Sequence, residues 1–247
     1  MINTYNESEL HKTLKQIYSL EKNGKPEQKV GNFICDILTE ENEIIEIQTS
    51  NISALKQKIR FAVENEIKIT IVHPVITEKT IELYDEENNL ISKRKSPKSC
   101  TVYTELRQLT GIYDLLTDKN FTLEMLYVNI TEKRKKTLNP EQLLNKSRRH
   151  LKRWIPEGKR LNEIIKKEKF KTCADYTNLI PEILRGTNFT LKELKSEIFE
   201  SLSKTNLSAS NKKKSSECAK ILIWLLKKMR LLQENGQSGR KNLYKLI

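Results

Sequence analysis

Residues 30–75 place the tightest constraint on what this chain can fold into. Two apolar, strand-like runs, VGNFICDIL and EIIEIQT, are joined by the polar TEENE and predict a hairpin. A helical stretch follows from Ser53, with Leu55, Ile59, Ala62 and Val63 on one stripe, and IKITIVHPV (67–75) is the most strand-like segment of the sequence. Strand, helix and strand with short joins make a βαβ crossover, and a hairpin feeding a crossover implies a mixed sheet. The same runs carry an anomaly. Asp36 and Glu46 sit among residues that belong in a core, where an ionised carboxylate is costly unless a cation or strong donors compensate it.

A hairpin symmetric about Glu41 sets Asp36 opposite Glu46 and Ile34 opposite Gln48. Strand alternation then predicts Asp36, Glu46 and Gln48 on one face, with Cys35, Ile37, Ile45 and Ile47 on the other. Two like charges facing across a ladder repel, and a divalent cation between them would remove that cost. The bland alternative is an ordinary solvent face.

Upstream, residues 6–20 place Leu10, Leu14, Ile17 and Tyr18 on one helical face, with Asn6 as the expected N-cap, and EKNGKPEQK reads as a loop. Downstream, TIELYDEENNLIS is a second hairpin candidate, TVYTELRQLTGIYDLL an amphipathic helix and FTLEMLYVNI a strand. Residues 131–160 turn basic with little apolar periodicity. From Tyr176 on, Thr190 and Glu193 form a capping-box pattern, a long helix carries ILIWLL with Trp224 as a core residue, and the chain ends in two short strands around a glycine turn. Helices followed by a two-stranded wing predict a winged helix. The expected division is a core over 1–135, a basic connector over 136–175 and the winged helix over 176–247, in an α+β or α/β fold whose mixed central sheet is flanked by helices.

Lys and Arg number 45 against 32 Asp and Glu, a net charge of +13, which favours a nucleic-acid partner. Candidate phosphate contacts are Arg94, Lys95 and Lys98 in KRKSPK, Arg148 and Arg149 in KSRRH, Lys212, Lys213 and Lys214 in NKKK, and Arg240 and Lys241 in the wing. Four dispersed cysteines argue against structural zinc, no apolar run reaches membrane-spanning length, and a cytoplasmic protein without a membrane partner is expected.

An acid on one strand, a hairpin, an ExK-like triplet on the next strand and a helix after it resemble the PD-(D/E)xK, restriction endonuclease-like nuclease superfamily. Cys35-Asp36 stands at the PD position and Glu46-Ile47-Gln48 at the (D/E)xK position. The resemblance implies Asp36, Glu46 and the Ile47 carbonyl as ligands of Mg²⁺, with Mn²⁺ as a substitute, and Glu7 as the acid many members contribute from the first helix. Lysine is usual where this chain has Gln48, which can orient a water but brings no charge. Lys56 or Lys58 on the next helix could return an ammonium to the site, Lys58 preferred. The implied activity is metal-dependent hydrolysis of DNA phosphodiesters in restriction, phage defence or mobile-element processing, with DNA as the partner and a homodimer as the expected form for double-strand cutting. The alternatives are a non-catalytic DNA-binding scaffold and an RNA-directed nuclease.

Overall fold

The computed structural model describes residues 8–142, 151–203 and 211–247, the side chains of 141–142, 203 and 211–213 excepted. It is α+β, with a large mixed sheet flanked by helices. The first helix, α1 (Glu9–Glu21), begins at Ser8, whose hydroxyl accepts the His11 N–H at 3.3 Å. Asn6, the expected cap, lies outside the described residues. Leu10, Leu14 and Tyr18 recur every fourth residue and are buried, so one stripe of α1 is committed to the sheet.

Three antiparallel strands follow: β1 (Gly24–Val30), β2 (Phe33–Thr39) and β3 (Ile44–Ile47). A short 3₁₀ turn, Ile52–Leu55, leads into α2 (Lys56–Glu64), which crosses over to β4 (Ile69–Tyr84), parallel to β3. The predicted hairpin register holds, since Ile37 faces Ile45 and Leu38 faces Ile44. The loop expected at EKNGKPEQK is instead β1. It is an edge strand, where a proline is tolerated because one side of the backbone needs no ladder partner.

Strand β4 runs well past the end of β3. Its far half pairs with β5 (Leu90–Lys95) on one edge and with β6 (Phe121–Gln142) on the other. β6 pairs in turn with β7 (Leu151–Phe170), giving the order β1-β2-β3-β4-β6-β7. The described part of the stretch expected as a basic connector is therefore mostly β-ribbon. Its charges pair locally: Lys133 with Glu157 at 3.0 Å and Lys79 with Glu132 at 2.7 Å, while the Arg134 guanidinium stacks 3.6 Å from the Trp154 ring. Between β5 and β6, the helix expected over 101–116 is a short α3 (Val102–Glu105) followed by a 3₁₀ segment, Leu106–Ile112.

Apolar residues divide between the two faces. Ile37, Ile45, Ile47, Val72 and Leu126 pack with α1, whereas Ile44, Ile71, Leu123 and Met125 pack with Ile59 and Ala62 of α2. The second group is continuous with the C-terminal elements: α4 (Cys173–Thr177), β8 (Phe189–Thr190), α5 (Leu191–Ser203), α6 (Asn211–Lys228), β9 (Leu232–Ser238) and β10 (Lys241–Leu246). Thr190 and Glu193 form the anticipated reciprocal cap, the Glu193 carboxylate accepting the Thr190 N–H at 2.7 Å. The last three strands make a small sheet in the order β8-β10-β9. Trp224, expected in the core, is 39% exposed on the outer face of α6.

Candidate functional site

The ladder between β2 and β3 ends at Ile37 and Ile45, and the strands part at Asp36 and Glu46. Side chains take over the hydrogen bonds there. The Ile47 N–H donates to Asp36 Oδ2 at 2.8 Å, and the Asp36 N–H donates to Glu46 Oε1 at 3.1 Å. Each carboxylate thus replaces a backbone acceptor that the divergence removed, so neither strand end is left with an unpaired buried donor.

The two acids do not share a face as alternation predicted. Asp36 turns toward α1, where His11 Nε2 lies 3.2 Å from Oδ2. Glu46 turns toward α2, where Lys58 Nζ lies 2.8 Å from Oε2 and also donates to the Ile34 carbonyl at 2.7 Å. Period-two alternation breaks at Asp36: Cys35 joins the α2-side cluster while Ile37 joins the α1 side. Opposite this point Glu27 adopts φ +52°, so the neighbouring edge strand is irregular at the same level. The acids therefore meet at the mouth between the strands, approached from both layers.

Their ionisation follows from these partners. Burial pushes the Asp36 carboxyl up, but its hydrogen bonds to His11 and Ile47 and the charges of His11 and Lys15 outweigh that and hold it below the ordinary aspartate range. Glu46 moves the other way: burial and the charge of Asp36 raise it, and Lys58 and the Asp36 N–H only partly offset them. Cys35 beside them is pushed up to about 11, first by burial and then by the Glu46 charge, and so is a neutral thiol near neutral pH.

Gln48 departs from expectation. Its side-chain nitrogen donates to the Ser50 carbonyl and, at 3.2 Å, to that of Asn51, so its amide N–H groups brace the loop after β3 instead of joining Asp36 and Glu46. Its backbone carbonyl faces His73 Nδ1 at 2.6 Å, and His73 Nε2 lies 3.3 Å from Glu105. His73 lies within β4 and is buried. Glu105 was not singled out by sequence reasoning, because TVYTELRQ reads as the polar face of a helix. Burial raises its carboxyl and bonds from His73, Cys100 and Thr104 bring it below the usual range. This buried chain fixes the end of β3 that carries Glu46.

Glu7 lies outside the described residues, as do Arg148 and Arg149, and the side chains of Lys212 and Lys213 are not described. Lys56 pairs with Asp114 at 3.1 Å and Lys95 with Glu78 at 3.1 Å. Arg94, Lys98, Arg240 and Lys241 are exposed, Lys214 half-buried. Arg94 and Lys95 sit on β5, which takes the edge of β4 beyond the end of β3 and so lies on the side to which the carboxylate mouth opens.

Among the described residues, no three His, Cys, Asp or Glu side chains converge as a metal-binding group. The two carboxylates and the adjacent Ile47 carbonyl are nonetheless the hard-oxygen donors Mg²⁺ takes, and this ion ordinarily completes its shell with waters and phosphate oxygens. The donor set fits in kind.

Fold and site together define an α+β protein with a carboxylate pair at the divergent end of an antiparallel hairpin. The chain belongs to the family whose model is described as "Domain of unknown function (DUF8091)", which matches residues 8–171 and so takes in the hairpin, α2 and the ribbon. A protein of Treponema pallidum (strain Nichols), described as an uncharacterized protein, is 28% identical over 128 residues, 52% of this chain and 50% of that one. The chain thus spans about half the length of this relative. No solved structure matches. Among the described residues, no helix is long and apolar enough to cross a membrane.

Proposed function

We propose that the protein is a divalent-metal-dependent DNA endonuclease of the PD-(D/E)xK type with a C-terminal winged helix. The observation that carries this reading is the convergence of Asp36, Glu46 and the Lys58 ammonium at one strand divergence, with Lys58 2.8 Å from Glu46. The element order adds support: one helix, three antiparallel strands, a crossover helix and a parallel fourth strand. The winged-helix reading is supported by α4, β8, α5, α6 and the β9–β10 wing, with β10 central in its sheet.

Asp36, Glu46 and the Ile47 carbonyl would hold Mg²⁺ or Mn²⁺, which when bound acidifies a water and neutralises charge on the phosphate under attack. His11 holds Asp36 ionised and in place. Lys58 supplies the positive charge that Gln48 lacks, from a helix one element further along the chain. Basic residues of β5 and of the loop after it lie further along β4, on the side to which the mouth opens, and suit the phosphate backbone. Restriction, phage defence or mobile-element processing are settings in which such an activity operates.

One observation favours the second reading, a non-catalytic DNA-binding scaffold: each carboxylate already has a side-chain partner, the His11 imidazole for Asp36 and the Lys58 ammonium for Glu46. Plasmid nicking with Mg²⁺ or Mn²⁺ separates the two. Divalent-dependent cutting that disappears in Asp36→Ala supports the enzyme. Equal DNA binding without cutting in the wild type supports the scaffold, and cutting confined to labelled RNA would change the substrate.

A further inference from the structure

The outer face of α6 is a stripe spaced as Lys220, Trp224 and Lys227/Lys228, while Cys218, Leu222, Leu225 and Leu226 face the core. A cavity of about 500 Å³ opens between this stripe and β10, lined by Lys220, Trp224, Lys228 and Tyr244 among others. It adjoins a second cavity of about 500 Å³ that shares Leu191 and Tyr244 and adds Lys192, Lys195, Arg240 and Lys241. Neither lining contains an Asp or Glu. Among these cations Lys227 is turned aside to Glu234.

Aromatic and cationic groups continue out of this groove, past Tyr113 to α2. The Trp224 ring meets Tyr113 edge-on, with centroids 5.6 Å apart, and Lys228 Nζ lies 5.9 Å from the Trp224 centroid. Lys56 Nζ lies 6.0 Å from the Tyr113 centroid while paired with Asp114 at 3.1 Å. A concave surface that alternates aromatic rings with ammonium groups has the character of a strand-binding platform, where phosphates meet the cations and unstacked bases meet the rings. A duplex keeps its base faces covered, a bilayer is too flat to enter the groove, and an acidic peptide makes no use of an indole face.

We propose that this groove binds single-stranded nucleic acid, with a base stacked on Trp224 and phosphates along Lys220, Lys228, Lys192 and Lys195. Binding itself is independent of the hydrolytic reading. That the strand continues to the Asp36–Glu46 site rests on it.

The chain has two tryptophans, so Trp154→Phe leaves Trp224 as the sole indole reporter. Titration with a thymidine oligonucleotide of about 20 residues, long enough for one such platform, should quench its emission. Anisotropy with the labelled oligonucleotide should show affinity falling at least about tenfold in Trp224→Ala and in the exposed double variant Lys220→Glu/Lys228→Glu. Asp36→Asn should bind as the wild type does, so that loss of cutting and loss of strand binding are separable. Unquenched Trp224 emission, unchanged affinity in the double variant, or tighter binding of a duplex of the same length would each overturn the proposal. So would loss of acidic-peptide or anionic-vesicle binding in the double variant with oligonucleotide binding intact.

Discussion

Replacing Lys58 by methionine isolates the interaction on which the site's electrostatics turn. The Lys58 side chain is 13% exposed and the Glu46 side chain 5%, with their charged groups 2.8 Å apart, so solvent screens the pair little. Methionine keeps most of the stem's packing and removes the charge, leaving Glu46 beside Asp36 with one fewer compensating group. Breaking a buried pair by removing one partner costs about 3–5 kcal/mol when the remaining charge stays ionised. Glu46 can limit that loss by taking up a proton, since its carboxyl is already raised by burial and Asp36. The net cost near neutral pH is therefore set at about 2–4 kcal/mol, a fall in Tm of roughly 4–16 °C at this chain length. The sign with pH follows. In the variant the folded state binds a proton on Glu46 more tightly than the unfolded chain does, so the variant gains stability as pH falls, and its deficit against the wild type narrows. Urea unfolding of both proteins near neutral pH and about two units lower measures this. A deficit under about 0.5 kcal/mol, or one that fails to shrink on acidification, would refute the assignment of Lys58 as the counterion of Glu46.

Asp36 titrates in the opposite sense. Its folded carboxyl lies below the ordinary range, so the stability it contributes is present above the unfolded value and lost as pH falls through the folded one; Asp36→Asn should flatten that acid limb of the stability curve. Gly31→Ala should cost about 1–3 kcal/mol by chemical unfolding, because Gly31 has φ +59° and a Cβ there would sit 2.4 Å from the Phe61 ring. Glu193→Ala should lower stability by about 1 kcal/mol through loss of the reciprocal cap at the start of α5, read as a shift in unfolding midpoint without a change in slope.

The hairpin register was readable because apolar alternation and a short polar turn leave little choice of pairing, and Ile37 does face Ile45. The placement of Lys58 was readable in part, since its position beside the apolar stripe of α2 brings its ammonium back over β3. The direction of Asp36 was not. Alternation breaks where Glu27 and Asp36 face each other, and no residue type in that stretch marks an irregularity. β1 escaped notice because an exposed edge strand carrying Lys25, Pro26 and Glu27 has no apolar period to detect. The first half of β6 was legible as a strand, but its outer part and β7 read as a connector for a related reason: toward the tip charges occupy both faces, and pairs such as Lys133 with Glu157 stand where apolar contacts would have shown a strand. Trp224 sits within ILIWLL, where apolar neighbours suggest burial, yet helical spacing puts it on the stripe of Lys220 and Lys228.

The proposed nuclease requires Asp36 and Glu46 to hold a divalent ion jointly. Mn²⁺ binding followed by electron paramagnetic resonance, on the wild type, Asp36→Asn and Glu46→Gln, measures it without relying on any cleavage assay. One saturable site is expected in the wild type, abolished or weakened at least about tenfold in each variant. Equal Mn²⁺ binding by all three proteins, or none by the wild type in the presence of oligonucleotide, would contradict it.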